Sequence, residues 1–294
     1  MGAFAALASS FTWALTSVML TSQTGRLAPL VMSGIRSGTA SLALFALLLA
    51  TGSYTSLEGV ALITVVSMAG SGIMGQAVGD TLYINALGLL GVSRSFPITN
   101  SAYPFITFVL AVILLGEDLT WTTPLGGALI VAGITWIVLE QRRGDAAEPV
   151  RVDVARGVFF AVAAAAAWAT ATVWLRGQQG DLDAIAAASI RIPAASLAVM
   201  GTIAATRGGE RPLRSLQRNS VAVVALAGLL GTGLGSVLFI YAVDELGAAE
   251  TAFLTTSAPL FALPMGVLFL GERLTARVLL GTVVTIAGIW LVLA

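Results

Sequence analysis

The chain contains no cysteine and no histidine, and its 15 cations are all arginine, so lysine is missing as well. Without thiols there are no disulfides, thiolate metal sites or thiol nucleophiles. Without imidazole the usual proton shuttle and the commonest metal ligand are gone. Without lysine a Gly-x-x-x-x-Gly-Lys-Ser/Thr phosphate loop cannot be written, so no nucleotide-binding sequence of that kind drives the protein. Charge of either sign is scarce, at 10% of 294 residues against roughly 25% in soluble domains. The formal net charge is zero, which leaves no basic surface for nucleic acid. No cofactor or metal is expected.

Apolar residues are present in excess: they fill 57% of the positions, and the mean hydropathy is +0.93. Apolar runs of the length that crosses a hydrocarbon core as a helix recur from end to end. Spans are expected near 2–21, 29–51, 60–89, 92–115 and 121–139, then near 157–177, 184–205, 219–246, 248–270 and 276–293. The first run, from Gly2 to about Leu20, lacks a basic leader and reads as a retained span. The third span of each half is too long for a straight crossing. Tilt, a kink or a break is expected at Gly70, Gly72, Gly75 and Gly79, and at Gly228, Gly231, Gly233 and Gly235.

The chain is written twice. Ile35-Arg36 and Ala40-Ser41-Leu42-Ala43 return 155 positions later as Ile190-Arg191 and Ala195-Ser196-Leu197-Ala198. Leu115-Gly116-Glu117 before Leu119-Thr120 returns as Leu270-Gly271-Glu272 before Leu274-Thr275, and Trp13 falls on Trp168. The expected fold is an all-α integral membrane protein with ten transmembrane helices as two inverted five-helix repeats, since five spans per repeat turn the second upside down. Residues 1–140 form the first repeat, 141–156 a basic linker and 157–294 the second. Twelve arginines lie in loops of one parity and only Arg176 in the other, which makes the arginine-rich loops cytoplasmic and puts both termini outside.

These motifs resemble the EamA-type transporters of the drug/metabolite transporter superfamily. The resemblance rests on the paired five-span repeats, an arginine early in each second span, and the doubled Leu-Gly-Glu-x-Leu-Thr before each last span. It covers essentially the whole chain and implies efflux of amino acids, other metabolites or toxic compounds, often across a bacterial cell inner membrane. Some relatives carry nucleotide sugars or triose phosphates. It also implies cytoplasmic termini, against the arginine count, so orientation stays open. Small multidrug antiporters of this fold use a glutamate in the first span; here that region reads Phe11-Thr12-Trp13-Ala14, and their proton mechanism does not transfer.

Charged residues inside spans are costly and come first as candidates. Arg36 and Arg191 either hold a carboxylate or phosphate of the cargo or belong to the scaffold. Asp80 follows the Gly-rich run in one repeat, with Ser236 read in its place in the other; an acid in one repeat alone is the proton-coupling candidate, the alternative being a carboxylate satisfied by backbone or by an arginine such as Arg36. Trp13 and Trp168, midway along matching spans, either stack on cargo or fill space. Thr99, Asn100, Ser101 and Tyr103 before Pro104, with Thr255, Thr256 and Ser257 before Pro259, read as cavity-lining hydroxyls at proline kinks or as side chains bonded to their own helix. Tyr83, Asn85 and Tyr241 are weaker candidates of the same kind. Glu117 and Glu272 have a structural expectation, each three residues before a capping threonine.

Serine-protease and aspartyl-protease patterns are missing, so an enzyme is not expected. The expected function is secondary-active transport, exporting amino acids or similar small metabolites by alternating access through a central cavity between the repeats. The alternatives are a sugar-phosphate or nucleotide-sugar exchanger, and a non-transporting membrane scaffold. The partners are a small-molecule cargo and membrane lipid. A monomer suffices for one pathway, and a homodimer stays open.

Overall fold

Alanine, leucine and valine dominate the long apolar runs, and with a hydrocarbon solvent every backbone group must bond within its own segment, so the runs become helices. The computed structural model of the chain describes residues 1–23, 26–90, 92–117, 120–141, 154–205, 217–258, 260–261 and 276–294. There is no strand among them. The helices are α1 (Gly2–Thr21), α2 (Pro29–Thr51), α3 (Leu62–Gly72), α4 (Asp80–Leu90), α5 (Val92–Leu110), α6 (Thr122–Gln141), α7 (Val154–Gln178), α8 (Ala184–Ala205), α9 (Arg218–Ala227), α10 (Gly235–Leu246), α11 (Ala248–Thr255) and α12 (Ala276–Val292). Pro29 opens α2, where its missing N–H is lost at no cost, and Gly52 closes it at φ 75°. Glu272 and its motif, Pro259, most of the linker and the back of the ninth expected span lie outside the described residues.

The long third spans neither break nor end. α3 runs into α4 through a π-helical segment, Ile73–Gly79, and α9 runs into α10 through another, Gly228–Leu234. The two segments fall at matching positions of the duplication. A π turn lowers the rise per residue and so shortens the helix without exposing backbone. Widening over seven residues takes up only a small part of the excess length. A third π segment, Ala111–Leu115, ends the fourth span at Gly116, φ 66°.

The helices of the two repeats interleave. α1 packs on α9, α10, α11 and the second π segment, and α2 on α8, α9 and that same segment. Reciprocally α3, α4 and the first π segment pack on α7, with α3 and the π segment also meeting α8. Small residues permit the close approach: Ala161, Ala164, Ala165, Ala169 and Ala171 of α7 are buried. The last helices, α6 and α12, cross on glycine. A Cβ on Gly126 would stand 2.7 Å from the Gly288 carbonyl, and one on Gly133 2.6 Å from the Gly281 carbonyl. Those contacts run in opposite directions along the two helices. They also exchange under the 155-residue offset, which is the form of a self-complementary contact about a two-fold axis.

The outer face is apolar. Leu42 is 75% exposed and its repeat partner Leu197 74%, while the paired Ala40 and Ala195 are fully buried, so α2 and α8 turn corresponding faces outward. Among the described residues six helices are long and apolar enough to cross a membrane: Leu30–Thr51, Leu62–Tyr83, Ile98–Leu115, Ala155–Gln178, Ala184–Ala205 and Arg218–Leu246. Thr122–Trp136 and Leu280–Val292 are shorter apolar helices.

Candidate functional site

A narrow crevice opens between the repeats, lined by Ser33, Arg36 and Ser37 of α2, Gln76 of the first π segment, Asp80 of α4, Ala195 and Val199 of α8, and Thr232 of the second π segment. It has room for about one water molecule. Both repeats line it, and it holds one cation and one anion.

The Arg36 guanidinium donates from Nη2 to the Thr232 hydroxyl at 3.2 Å, and its Nε is buried without a partner among the described residues. Asp80 Oδ1 accepts the Trp168 indole N–H at 3.1 Å. Arg36 acts electrostatically on Asp80, yet one bonds to threonine and the other to tryptophan, so neither charge closes off the other. Behind Asp80 the Tyr83 ring lies 5.3 Å from the Trp168 ring, and the Tyr103 ring meets Trp168 edge-on at 6.4 Å. The Tyr103 hydroxyl shares a hydrogen bond with Thr172 at 3.2 Å. The carboxylate therefore heads an aromatic cluster drawn from α4, α5 and α7.

The two in-span arginines part company. Arg191 is 6% exposed, donates from Nη1 to the Ser71 hydroxyl at 2.7 Å, and lies where the α8 backbone crosses Gly72. Arg36 sits at the matching crossing, with a Cβ on Gly228 2.9 Å from its Cα, but its head group faces the crevice. The tryptophans diverge too. Trp13 donates to the Gly231 carbonyl at 3.1 Å and packs on Phe239, ring centres 5.4 Å apart. The position matching Asp80 is Ser236: the glycines just before them, Gly79 and Gly235, both lie against the repeat-matched tryptophans Trp168 and Trp13. A Cβ on Gly79 would lie 2.6 Å from the Trp168 indole nitrogen, and one on Gly235 2.9 Å from that of Trp13.

The proline-kinked stretches also differ. α5 continues through Asn100, Ser101 and Pro104, with Thr99 buried inside it. The second stretch turns at Thr256 and Ser257. Thr255 donates to the carbonyls of Thr251 and Ala252, and Thr256 to that of Phe253. Residue 259 is proline and offers no N–H to the Thr255 carbonyl; Ser10 of the other repeat supplies the missing donor at 2.9 Å. Ser257 Oγ is buried without a partner among the described residues. Asn85 is exposed and donates to the Thr81 carbonyl, and Tyr241 is exposed, so neither joins the cluster.

Gln76, Thr232, Ser33 and Ser37 were missed by sequence reasoning. A signal existed for two of them: Gln76 and Thr232, like Ser71, are polar side chains within the Gly-rich third-span runs. Glu117 caps across the repeats, its carboxylate accepting the N–H groups of Ala248 at 2.7 Å and Ala249 at 3.3 Å, the first turn of α11.

The chain matches the EamA-like transporter family over residues 1–139 and again over 155–294, and it belongs to that family. It is an integral membrane protein. It is 25% identical over 223 residues to an uncharacterized transporter of Archaeoglobus fulgidus, covering 76% of this chain and 74% of the relative. To an uncharacterized protein of Pseudomonas aeruginosa it is 31% identical over 189 residues, 64% of this chain and 61% of the relative. A protein of known crystal structure shares the fold with a TM-score of 0.79 at 17% identity, over 99% of this chain and 96% of that one.

Proposed function

We propose that the protein is a secondary-active exporter of amino acids or similar small metabolites in a bacterial cytoplasmic membrane. It would work by alternating access between two inverted five-helix repeats that make up ten spans. The observation that carries this reading is the crevice itself: both repeats line it, and its charges, Arg36 and Asp80, lie on different helices within apolar runs. Charges are retained at such depth when they serve a pathway. The antiparallel crossing of α6 and α12 on exchanging glycines supports inversion, and the interleaved packing lets one bundle rock on the other while the site stays between them. Both repeats line the crevice, so a single chain supplies a whole pathway.

Asp80 is the coupling residue in this reading. A proton and cargo would compete for its carboxylate, which faces Arg36 across the crevice, Trp168 from α7 and Tyr83 on its own helix. An exchanger of sugar phosphates would need several cations converging on one cavity. Among the described lining residues Arg36 is the cation present.

The test is flux from proteoliposomes preloaded with amino acids, sugar phosphates and aromatic cations, with and without an imposed pH gradient. Saturable loss of an amino acid, faster with the gradient, is the expected result. No flux of any compound from demonstrably folded protein would overturn the transporter reading.

A further inference from the structure

The crevice offers two unlike charges that are each only partly satisfied. A guanidinium has five N–H donors, and among the described residues Arg36 has one bond to Thr232 and a buried, unpartnered Nε. A carboxylate has about four acceptor sites, and among the described residues Asp80 accepts one bond, from Trp168 on Oδ1. The remaining polar lining groups, Ser33, Ser37, Gln76 and Thr232, are neutral, while Ala195 and Val199, one turn apart on α8, form a small apolar wall. The site is thus neutral overall and polar at two separate poles.

A cargo carrying a single charge would pair one pole and leave the other desolvated against it, which in a low-dielectric span is penalised heavily. A cargo with both charges satisfies both and adds none. We infer that the crevice recognises its cargo as a zwitterion, the carboxylate on the Arg36 guanidinium and the ammonium on the Asp80 carboxylate, each an independent requirement. This rests on the transport reading and deepens it by naming the two groups that define the substrate. The room for about one water makes this the closed form of the site, and cargo enters when α2 and the π segments separate.

The decisive experiment uses the wild-type chain in proteoliposomes and the twenty common L-amino acids. Each one that is transported is then tested in competition against its methyl ester, which lacks the carboxylate, and its N-acetyl derivative, which lacks the ammonium. The expected result is that both derivatives compete at least about tenfold more weakly than the parent. In Arg36→Gln the gap between acid and ester closes, and in Asp80→Asn, followed by counterflow exchange without a pH gradient, the gap between the free amine and its N-acetyl form closes. A derivative that competes as well as the parent overturns the zwitterion inference and leaves the transport reading standing. So does saturable flux confined to sugar phosphates or aromatic cations. No flux of anything removes both.

Discussion

Trp168 and Trp13 hold the same place in the two repeats, yet their indole N–H groups serve different ends. Trp168 points at the carboxylate of Asp80 and is ringed by Tyr83 and Tyr103. Trp13 points at the Gly231 carbonyl and rests on Phe239, with Ser236 in the place of the acid. One repeat has become a polar cluster at the crevice and the other a packed joint. A duplicated scaffold keeps helices, crossings and glycines in register, and function enters where the copies stop agreeing. The arginines follow the same rule: Arg191 is locked onto Ser71, and Arg36 keeps donors free.

Removing the acid should have the largest effect. Asp80→Asn is expected to lower gradient-driven flux to background while the protein still folds, as measured in proteoliposomes; an unchanged response to pH would end the coupling role. Next come the arginines. Arg191→Gln leaves buried Ser71 without its charged partner and should lower stability by about 1.5–3 kcal/mol, read as a lower Tm and yield. Arg36→Gln should leave Tm near wild type and raise the half-saturating cargo concentration about tenfold. If the two variants behaved alike, the division between them would be wrong.

The packed joint is tested by adding one carbon. Gly235→Ala puts a Cβ 2.5 Å from the Thr12 hydroxyl and 2.9 Å from the Trp13 nitrogen, so a loss of about 1–3 kcal/mol is expected from thermal unfolding in detergent. Gly233→Ala, whose nearest neighbour would be 3.6 Å away, should be close to neutral. Among the destabilising changes the smallest loss belongs to Glu117→Ala, which uncaps α11 and should cost about 0.5–2 kcal/mol, with Glu117→Gln milder because one acceptor oxygen remains.

Much of the architecture was legible in the sequence because apolar length and a constant repeat offset survive without knowledge of contacts. The glycine runs marked where the third spans would need relief. The form of that relief was not legible: a π segment and a kink demand the same small residues, and only backbone bonding distinguishes them. At the site, Arg36, Asp80, Tyr83, Tyr103 and Trp168 stood out as polar or aromatic groups inside apolar runs. Gln76 and Thr232 were hidden among glycines that drew attention to the backbone. Asn85 and Tyr241 looked similar to Tyr83 because a sequence does not say which face of a long helix turns inward; both turn outward. The pairing of Ser236 with Asp80 agrees with the packing, since Gly79 and Gly235, the residues just before them, meet Trp168 and Trp13 alike. Glu117 was expected to matter for its own turn, and its partner proved to lie 131 residues away in the other repeat.

Interleaving also sets an order in time. Apart from the short 3-10 turn Ser53–Leu57 that follows α2, the described helices on which α1 and α2 pack lie from residue 184 onward. A ribosome making this chain would deliver both into the membrane well before any of those surfaces existed. Until Thr232 is synthesised, Arg36 waits in the bilayer with the hydrogen bond it will later make unfilled. These two helices must therefore persist without their final neighbours, and the assembly closes only when the second half adds its third span against them.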